Sequence, residues 1–281
     1  MDLIFTIYIK TPNTNNKSIG MQQLHIIRNY IKYRFLSRTK YDIHPPFLFD
    51  LVTKVFEDRK RYPDYIKIEN LKRELIKDKR EISVLDFGAG SSIDTGNLKV
   101  VGKIARYSSK PKRYARLLYR LIKYFQPDTI LELGTSLGIS TAYMALAKPN
   151  SKVITIEGCP NISAIANETF NKLNIWNIKL KTGEFDTVLP DVLVETGKLD
   201  FVFIDGNHRK EPTIKYFEMC LDKAHNNSVF VFDDIHWSQG MTEAWESICS
   251  HPSVTLSVDI FAMGLVFFKK ELSKEHFIVK Y

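Results

Sequence analysis

Residues 129–141, TILELGTSLGIST, decide how the rest of the chain is read. Thr129 to Leu133 form a short apolar run that predicts a buried strand, and ISTAYMALA from residue 139 predicts a helix. Between them Gly134 and Gly138 allow a tight turn and close approach of backbone to a ligand. The next strand, KVITIE, ends on Glu157, where an acid can accept the hydroxyls of a ribose. A strand, a glycine turn, a helix and an acid at the following strand tip together make a nucleotide-binding unit.

Outward from this loop, short β-rich runs alternate with helical stretches. TILELG (129–134), KVITIEG (152–158), IKLKTG (178–183), LDFVFIDG (199–206) and SVFVFDDI (228–235) are near-continuous apolar strands, as expected of a parallel sheet covered on both faces. After a helix near 240–250, VTLSVDIF (254–261) and GLVFFKK (264–270) are separated by a tight turn and must run antiparallel. Upstream, residues 21–42 predict a basic helix with Leu24, Ile27, Ile31 and Phe35 at helical spacing, and HPPF (44–47) breaks it. Further helices are expected at 47–59, 64–80, NLKVVGKIARYS and PKRYARLLYRLIKYF. The expected division is a flexible tail (1–20), a basic, mostly helical region that covers the substrate side (21–110) and an α/β domain (111–281).

A rival loop, SVLDFGAGSS (83–92), has a strand-like lead-in but no helix directly after it and no strand with an acid downstream. It reads as a structural turn on the lid side, from which Asp86 and Ser91 could reach a ligand.

Composition narrows the function. The chain has 281 residues and 44% hydrophobic content, ample for a large α/β domain with an appendage. No apolar run approaches the roughly 20 residues of a membrane span, and MDLIFTIYIK lacks the basic lead and cleavage site of a secretion signal. Cys159, Cys220 and Cys249 are odd in number and widely spaced, which suits a reduced, cytoplasmic setting. The first 125 residues carry 26 Lys and Arg against 12 Asp and Glu, scattered among apolar helical positions. That asymmetry leaves a nucleic-acid footprint open as an alternative to a solvated helical surface. Oligomeric state leaves no trace in the sequence.

The spacing of Glu132, Gly134 and Gly138 resembles the E-x-G-x-x-x-G loop of class I S-adenosylmethionine-dependent methyltransferases, and Glu157 and the terminal hairpin strengthen the likeness over residues 111–281. It implies a Rossmann-like, mostly parallel seven-stranded sheet with an antiparallel C-terminal hairpin. It also implies S-adenosylmethionine held by Glu132, Gly134, Thr135, Ser136, Gly138, Glu157 and Asp205, with Gly183 and Glu184 near the adenine.

Ligands in such sheets sit beyond the carboxyl ends of the strands. FVFIDGNH places Asp205 and His208 there, and VFVFDDIHW places Asp233 and Asp234. Three adjacent carboxylates repel one another unless a cation sits among them, and oxygen ligands suggest Mg²⁺. The arrangement resembles the metal-dependent O-methyltransferases of the catechol and bacterial sugar types, which implies Asp205, Asp233 and Asp234 as metal ligands. The D-x-x-H spacing favours the sugar-modifying branch, with His208 as base beside Asp205. His236 and Trp237 are expected on the substrate wall. The expected activity is O-methylation of a small-molecule hydroxyl. The alternatives are a nucleic-acid-directed methyltransferase and a non-catalytic S-adenosylmethionine-binding module.

Overall fold

In the computed structural model, which describes residues 16–85 and 97–281, the strand–helix alternation forms an eight-stranded sheet covered on both faces. In chain order, β3 (Thr129–Leu133), α6 (Ile139–Ala147), β4 (Lys152–Glu157), α7 (Pro160–Lys172), β5 (Ile178–Thr182) and α8 (Phe185–Glu195) build one half. Then β6 (Phe201–Ile204), α9 (Lys210–Leu221), β7 (Val229–Asp233), α10 (Gln239–Ser250), β8 (Leu256–Asp259) and β9 (Met263–Phe267) build the other. An edge strand, β10 (Glu275–Ile278), completes the order β10-β8-β9-β7-β6-β3-β4-β5.

The pairs β3–β4, β4–β5, β3–β6 and β6–β7 are parallel, and β9 runs antiparallel to β7 and β8. The terminal hairpin therefore stands as the sequence predicts. The eighth strand corrects the expected seven. β10 pairs in parallel with β8, and its charged lead-in SKEH gave no strand signal.

Side-chain alternation explains why these strands read as continuous apolar runs. Ile130, Val153, Phe201, Phe203, Val229 and Val231 face one core, while Leu131, Leu133, Ile154, Ile156, Val202, Ile204, Phe230 and Phe232 face the other. The first core is shared with the N-terminal region. Residues from α2 (Pro46–Leu51), α3 (Pro63–Lys77), α4 (Val101–Tyr107) and α5 (Lys112–Phe125) pack into it. HPPF serves as an interhelical turn, with Pro46 in the first turn of α2, where its missing N–H costs nothing.

Three local expectations change. The first helix, α1, spans Asn16–Leu36, so helix reaches into the segment expected to be tail; residues 1–15 lie outside the described residues. Its predicted stripe faces solvent: Leu24 and Ile31 are exposed, and Phe35 is 85% exposed. The docking face is instead Ile26, Tyr30 and Tyr33, which pack on Phe261, Trp237 and Ile278. A hydroxyl on the buried side anchors this face, because Tyr33 donates to the Val279 carbonyl at 2.9 Å. The third change is at residues 97–100, expected as helix, which form β2 (Asn97–Val100) and pair antiparallel with β1 (Glu81–Val84). SVLDFGAGSS thus begins in a hairpin strand; residues 86–96, with Asp86 and Ser91, lie outside the described residues.

Candidate functional site

The chain leaves β3 for β4 on one side and later returns to β6 on the other, so strand order reverses between β3 and β6. That switch point is where an open α/β sheet forms its ligand crevice. Gly134 and Asp205 flank it. The Asp205 amide donates to the Leu133 carbonyl at 2.8 Å, and a β-carbon on Gly134 would meet the Asp205 carbonyl oxygen at 2.3 Å. Gly134 also has φ +104°, so only glycine suits this position both sterically and conformationally.

The loop after β3 is tied to the next strand. Gly134 N–H donates to the Ile156 carbonyl at 3.0 Å, and Ser136 N–H donates to Glu157 Oε2 at 2.8 Å. Ser136 and Gly138 both adopt left-handed backbone, with φ +48° and +79°. Gly138 lies against the Phe170 ring, which leaves no room for a side chain. The other oxygen of Glu157 accepts from Cys159 N–H at 3.0 Å, and burial pushes its carboxyl above the usual range. Backbone N–H groups of Ser136, Cys159 and Gly158 thus fix the Glu157 carboxylate at the strand tip.

Glu132, expected among the cofactor contacts, is sealed inside. It is 0% exposed, and its oxygens accept from Ser140 Oγ, Thr141 Oγ1 and Thr155 Oγ1. Burial pushes its carboxyl up to about 7, and the hydroxyls oppose that rise. Glu132 fastens the loop from beneath, tying β3 to α6 and β4. Thr135 is equally buried and bonds the Thr155 hydroxyl at 2.6 Å. Gly183, with φ +145°, donates its N–H to the Glu157 carbonyl, and Glu184 is the N-cap of α8. Both therefore lie beside the Glu157 tip.

The acidic edge departs most from expectation. Asp205 and Asp233 stand at the adjacent tips of β6 and β7, and the ammonium of Lys110 lies between them. Lys110 Nζ is 3.0 Å from Asp205 Oδ2 and in close contact with Asp233 Oδ2. Its side chain is only 8% exposed. Burial opposes its charge, but Asp205 and Asp233 outweigh that and raise its pKa. Asp233 is raised by burial and by the Asp205 carboxylate, with Lys110 opposing. Asp205 is also raised by burial, again against Lys110.

This arrangement differs from the expected metal centre. A divalent ion held by Asp205, Asp233 and Asp234 does not fit, because the space between the first two is filled by a lysine nitrogen. Among the described residues no group of three His, Cys, Asp or Glu side chains could hold a metal ion. The sequence left Lys110 unmarked. It is a single lysine ahead of Pro111, and its acids lie far along the chain, so no spacing records the pairing.

His208 stands at the mouth of the cluster. Its Nε2 is 3.9 Å from Asp205 Oδ1 and 3.9 Å from Asp234 Oδ2, and its side chain is partly exposed. Asp234 has φ +53°, and its N–H donates a hydrogen bond to the Ala262 carbonyl at 2.8 Å. His236 turns aside: its Nε2 meets Asp259 Oδ2 at 2.7 Å and its ring stacks on Phe261. Trp237 packs with α1, whose Gln22 donates to its carbonyl. The expected wall residues thus join the first helix to the strand tips.

The chain resembles known proteins in sequence and in fold. Residues 131–235 match the family model described as a methyltransferase domain, a stretch that contains the loop, Glu157, Asp205, His208 and Asp233. Over 123 residues the chain is 32% identical to a catechol O-methyltransferase of Niastella koreensis, a span covering 43% of this chain and 55% of that protein. The match thus takes in little more than half the length of this curated relative. The fold is shared with an SAH-bound methyltransferase of Podospora anserina at TM-score 0.56, with 15% identity, 81% of this chain and 99% of that one. It is shared also with an O-methyltransferase of Streptomyces achromogenes in complex with SAM, at TM-score 0.52 and 18% identity, covering 75% and 91%.

Proposed function

We propose that this chain is an S-adenosylmethionine-dependent O-methyltransferase acting on the hydroxyl of a small molecule. The observation that carries the proposal is the crevice at the β3–β6 switch point. There the glycine loop with Glu157 on one side faces Asp205, Asp233 and His208 on the other. The match of residues 131–235 to a methyltransferase domain and the likeness to a catechol O-methyltransferase support it.

The loop fits the cofactor's chemistry. Gly134 and Gly138 bring backbone close to the crevice, Glu157 is held at the next strand tip as the acceptor for the ribose hydroxyls, and Gly183 and Glu184 border the same tip. No phosphate has to be cradled by these residues, which suits a nucleoside attached to an amino acid. When bound, S-adenosylmethionine supplies a methyl group that is already electrophilic.

What remains for the protein is to present a hydroxyl oxygen in line and relieve it of its proton. His208 Nε2 is the group placed to take that proton. Asp205 and Asp234, equidistant from it, stabilise the imidazolium that forms. The anionic surplus of the cluster also favours a cationic sulfonium nearby.

The test is a thermal-shift titration with S-adenosylmethionine, its demethylated product and NAD. At a hundredfold excess over Kd, a ligand stabilises the folded state by about 2.7 kcal/mol. The melting point should rise with the first two ligands and stay unchanged with NAD. A rise with NAD alone would overturn the proposal. Transfer of labelled methyl from S-adenosylmethionine to a hydroxylated aromatic, lost in His208→Ala, tests the chemistry.

A further inference from the structure

We infer that Lys110 is the resident cation of this site, standing where a divalent metal would otherwise stand and holding the acceptor's hydroxyl oxygen by a hydrogen bond from its ammonium. This rests on the methyltransferase reading above and names the group that replaces the metal in it.

The placement is built rather than incidental. Lysine is almost never buried without a partner, and here it has two. Its backbone is pinned as well: Lys72 Nζ donates to the Lys110 carbonyl at 3.0 Å and to that of Ser109 at 3.4 Å. Pro111 follows at once and opens α5, which restricts the backbone further. Lys110 Nζ also lies 5.4 Å from the centroid of the Phe203 ring, on the strand that ends at Asp205. Backbone, ring and carboxylates thus converge to fix one ammonium.

The chemistry of that ammonium differs from a metal's in two ways. Of its three N–H donors, two serve Asp205 and Asp233, which leaves one for a single acceptor oxygen. A divalent ion with several open positions can grip two neighbouring hydroxyls, whereas one N–H cannot. The acceptor is therefore recognised through one hydroxyl and need not be a vicinal diol. An ammonium also carries one charge against two carboxylates, so the pair keeps a negative surplus. Proton removal then falls to His208 instead of to metal-bound oxygen.

The deciding measurement is Mn²⁺ binding by electron paramagnetic resonance, which needs no knowledge of the acceptor. The wild-type protein should bind no stoichiometric Mn²⁺, and its melting point should be the same in Mn²⁺ and in EDTA. Lys110→Ala opens the space between the carboxylates and should gain one Mn²⁺ site, which Asp233→Asn added to it should remove. Lys110→Met keeps the bulk of the side chain. With catechol and with phenol as probes, it should lower methyl transfer by about 100-fold, the usual cost of losing a charged hydrogen-bond donor in an active site. It should still be stabilised by S-adenosylmethionine.

Stoichiometric Mn²⁺ on the wild-type protein, lost in Asp233→Asn, would overturn the inference, as would transfer abolished by EDTA and restored by Mn²⁺. These wild-type arms decide the matter even if a lysine variant fails to fold. Failure of S-adenosylmethionine to stabilise the wild type would count against the methyltransferase reading alone, because the Mn²⁺ arms do not depend on it.

Discussion

Glu132 and Asp233 are both buried carboxylates at the carboxyl ends of central strands, and they are satisfied in opposite ways. Glu132 has three neutral donors from Ser140, Thr141 and Thr155, all on neighbouring elements of its own half of the sheet. Asp233 has a charged donor from Lys110, brought in from before α5, and shares it with Asp205. Neutral hydroxyls around an isolated acid make a permanent fastening. One ammonium between two acids leaves a charge surplus, which is what a reacting site needs and a fastening avoids. The acid of the glycine loop therefore builds the loop, and the acids at the tips of β6 and β7, one and two strands away, border the crevice.

The largest effect is expected where the two halves of the site touch. Gly134→Ala would set a β-carbon 2.3 Å from the Asp205 carbonyl oxygen at a backbone φ of +104°. Neither backbone can yield without moving a strand tip. The strained φ alone costs on the order of 1–3 kcal/mol, and the clash adds to it. Urea unfolding should show a loss above that range, and calorimetry should show no S-adenosylmethionine binding. An alanine variant with wild-type stability and affinity would mean that the loop and the acidic tip are independent.

Glu132→Gln and Asp233→Asn should separate the two acids, with a smaller effect than Gly134→Ala. The glutamine NH₂ cannot accept, although its carbonyl oxygen can, so at least one hydroxyl loses its partner at a cost of about 1–3 kcal/mol. Asparagine at 233 leaves Lys110 paired with Asp205 and removes the repulsion between the acids, so its cost at pH 8 should be smaller or absent. Equal losses would show that Asp233, too, is a fastening.

The pH dependence separates them further. Burial pushes the Glu132 carboxyl up to about 7 from its ordinary 4.5, so between these values the folded state holds a proton that the unfolded state has released. Stability then falls as pH rises from about 4.5 to 7 and is level above. Wild type should therefore lose ground to Glu132→Gln across that window, measured by denaturant midpoints at each pH. A parallel pair of curves would contradict the buried, proton-holding state of Glu132.

The contrast also explains what the sequence could reveal. The strands, the glycine loop and the tips at Glu157, Asp205 and Asp233 were legible because each follows from residues close along the chain. Lys110 was not, since a long-range ion pair leaves no period or motif. Glu132 misled for a related reason: an acid at a strand end can turn to solvent or inward, and the hydroxyls that draw it inward look like ordinary helix residues. The buried face of α1 was hidden because it docks through tyrosines and polar side chains, while its most apolar stripe remains outside.

A smaller effect is expected at that helix. His25 bonds the Thr242 hydroxyl at 3.0 Å and accompanies His236 at the strand tips. Burial, then the nearby His236, lowers its pKa below 6.5. A lowered histidine resists protonation in the folded state, so docking of α1 should weaken as pH falls through about 6.5. Hydrogen exchange of residues 20–36 should be faster at pH 5.5 than at 7.5 after correction for intrinsic rates. The difference should shrink in His25→Gln, and its persistence there would assign the effect to another group.

The smallest effect should come from an ion pair with good geometry in the wrong place. Arg80 donates to both oxygens of Glu168, at 2.9 and 2.8 Å, joining the segment before β1 to α7. Its bond lengths are those of a well-made ion pair. Yet its side chains are about half exposed, so water and salt screen the attraction, and two long side chains must be held still to keep it. Arg80→Ala should cost about 0.5 kcal/mol, and 0.5 M NaCl should remove most of that difference. The Lys110 cluster, shut away from solvent, should show no such salt dependence in the melting point of its variants. Comparable, salt-insensitive losses at both positions would mean that burial does not set the strength of these pairs, and that Lys110 is only one more bridge between the N-terminal helices and the sheet.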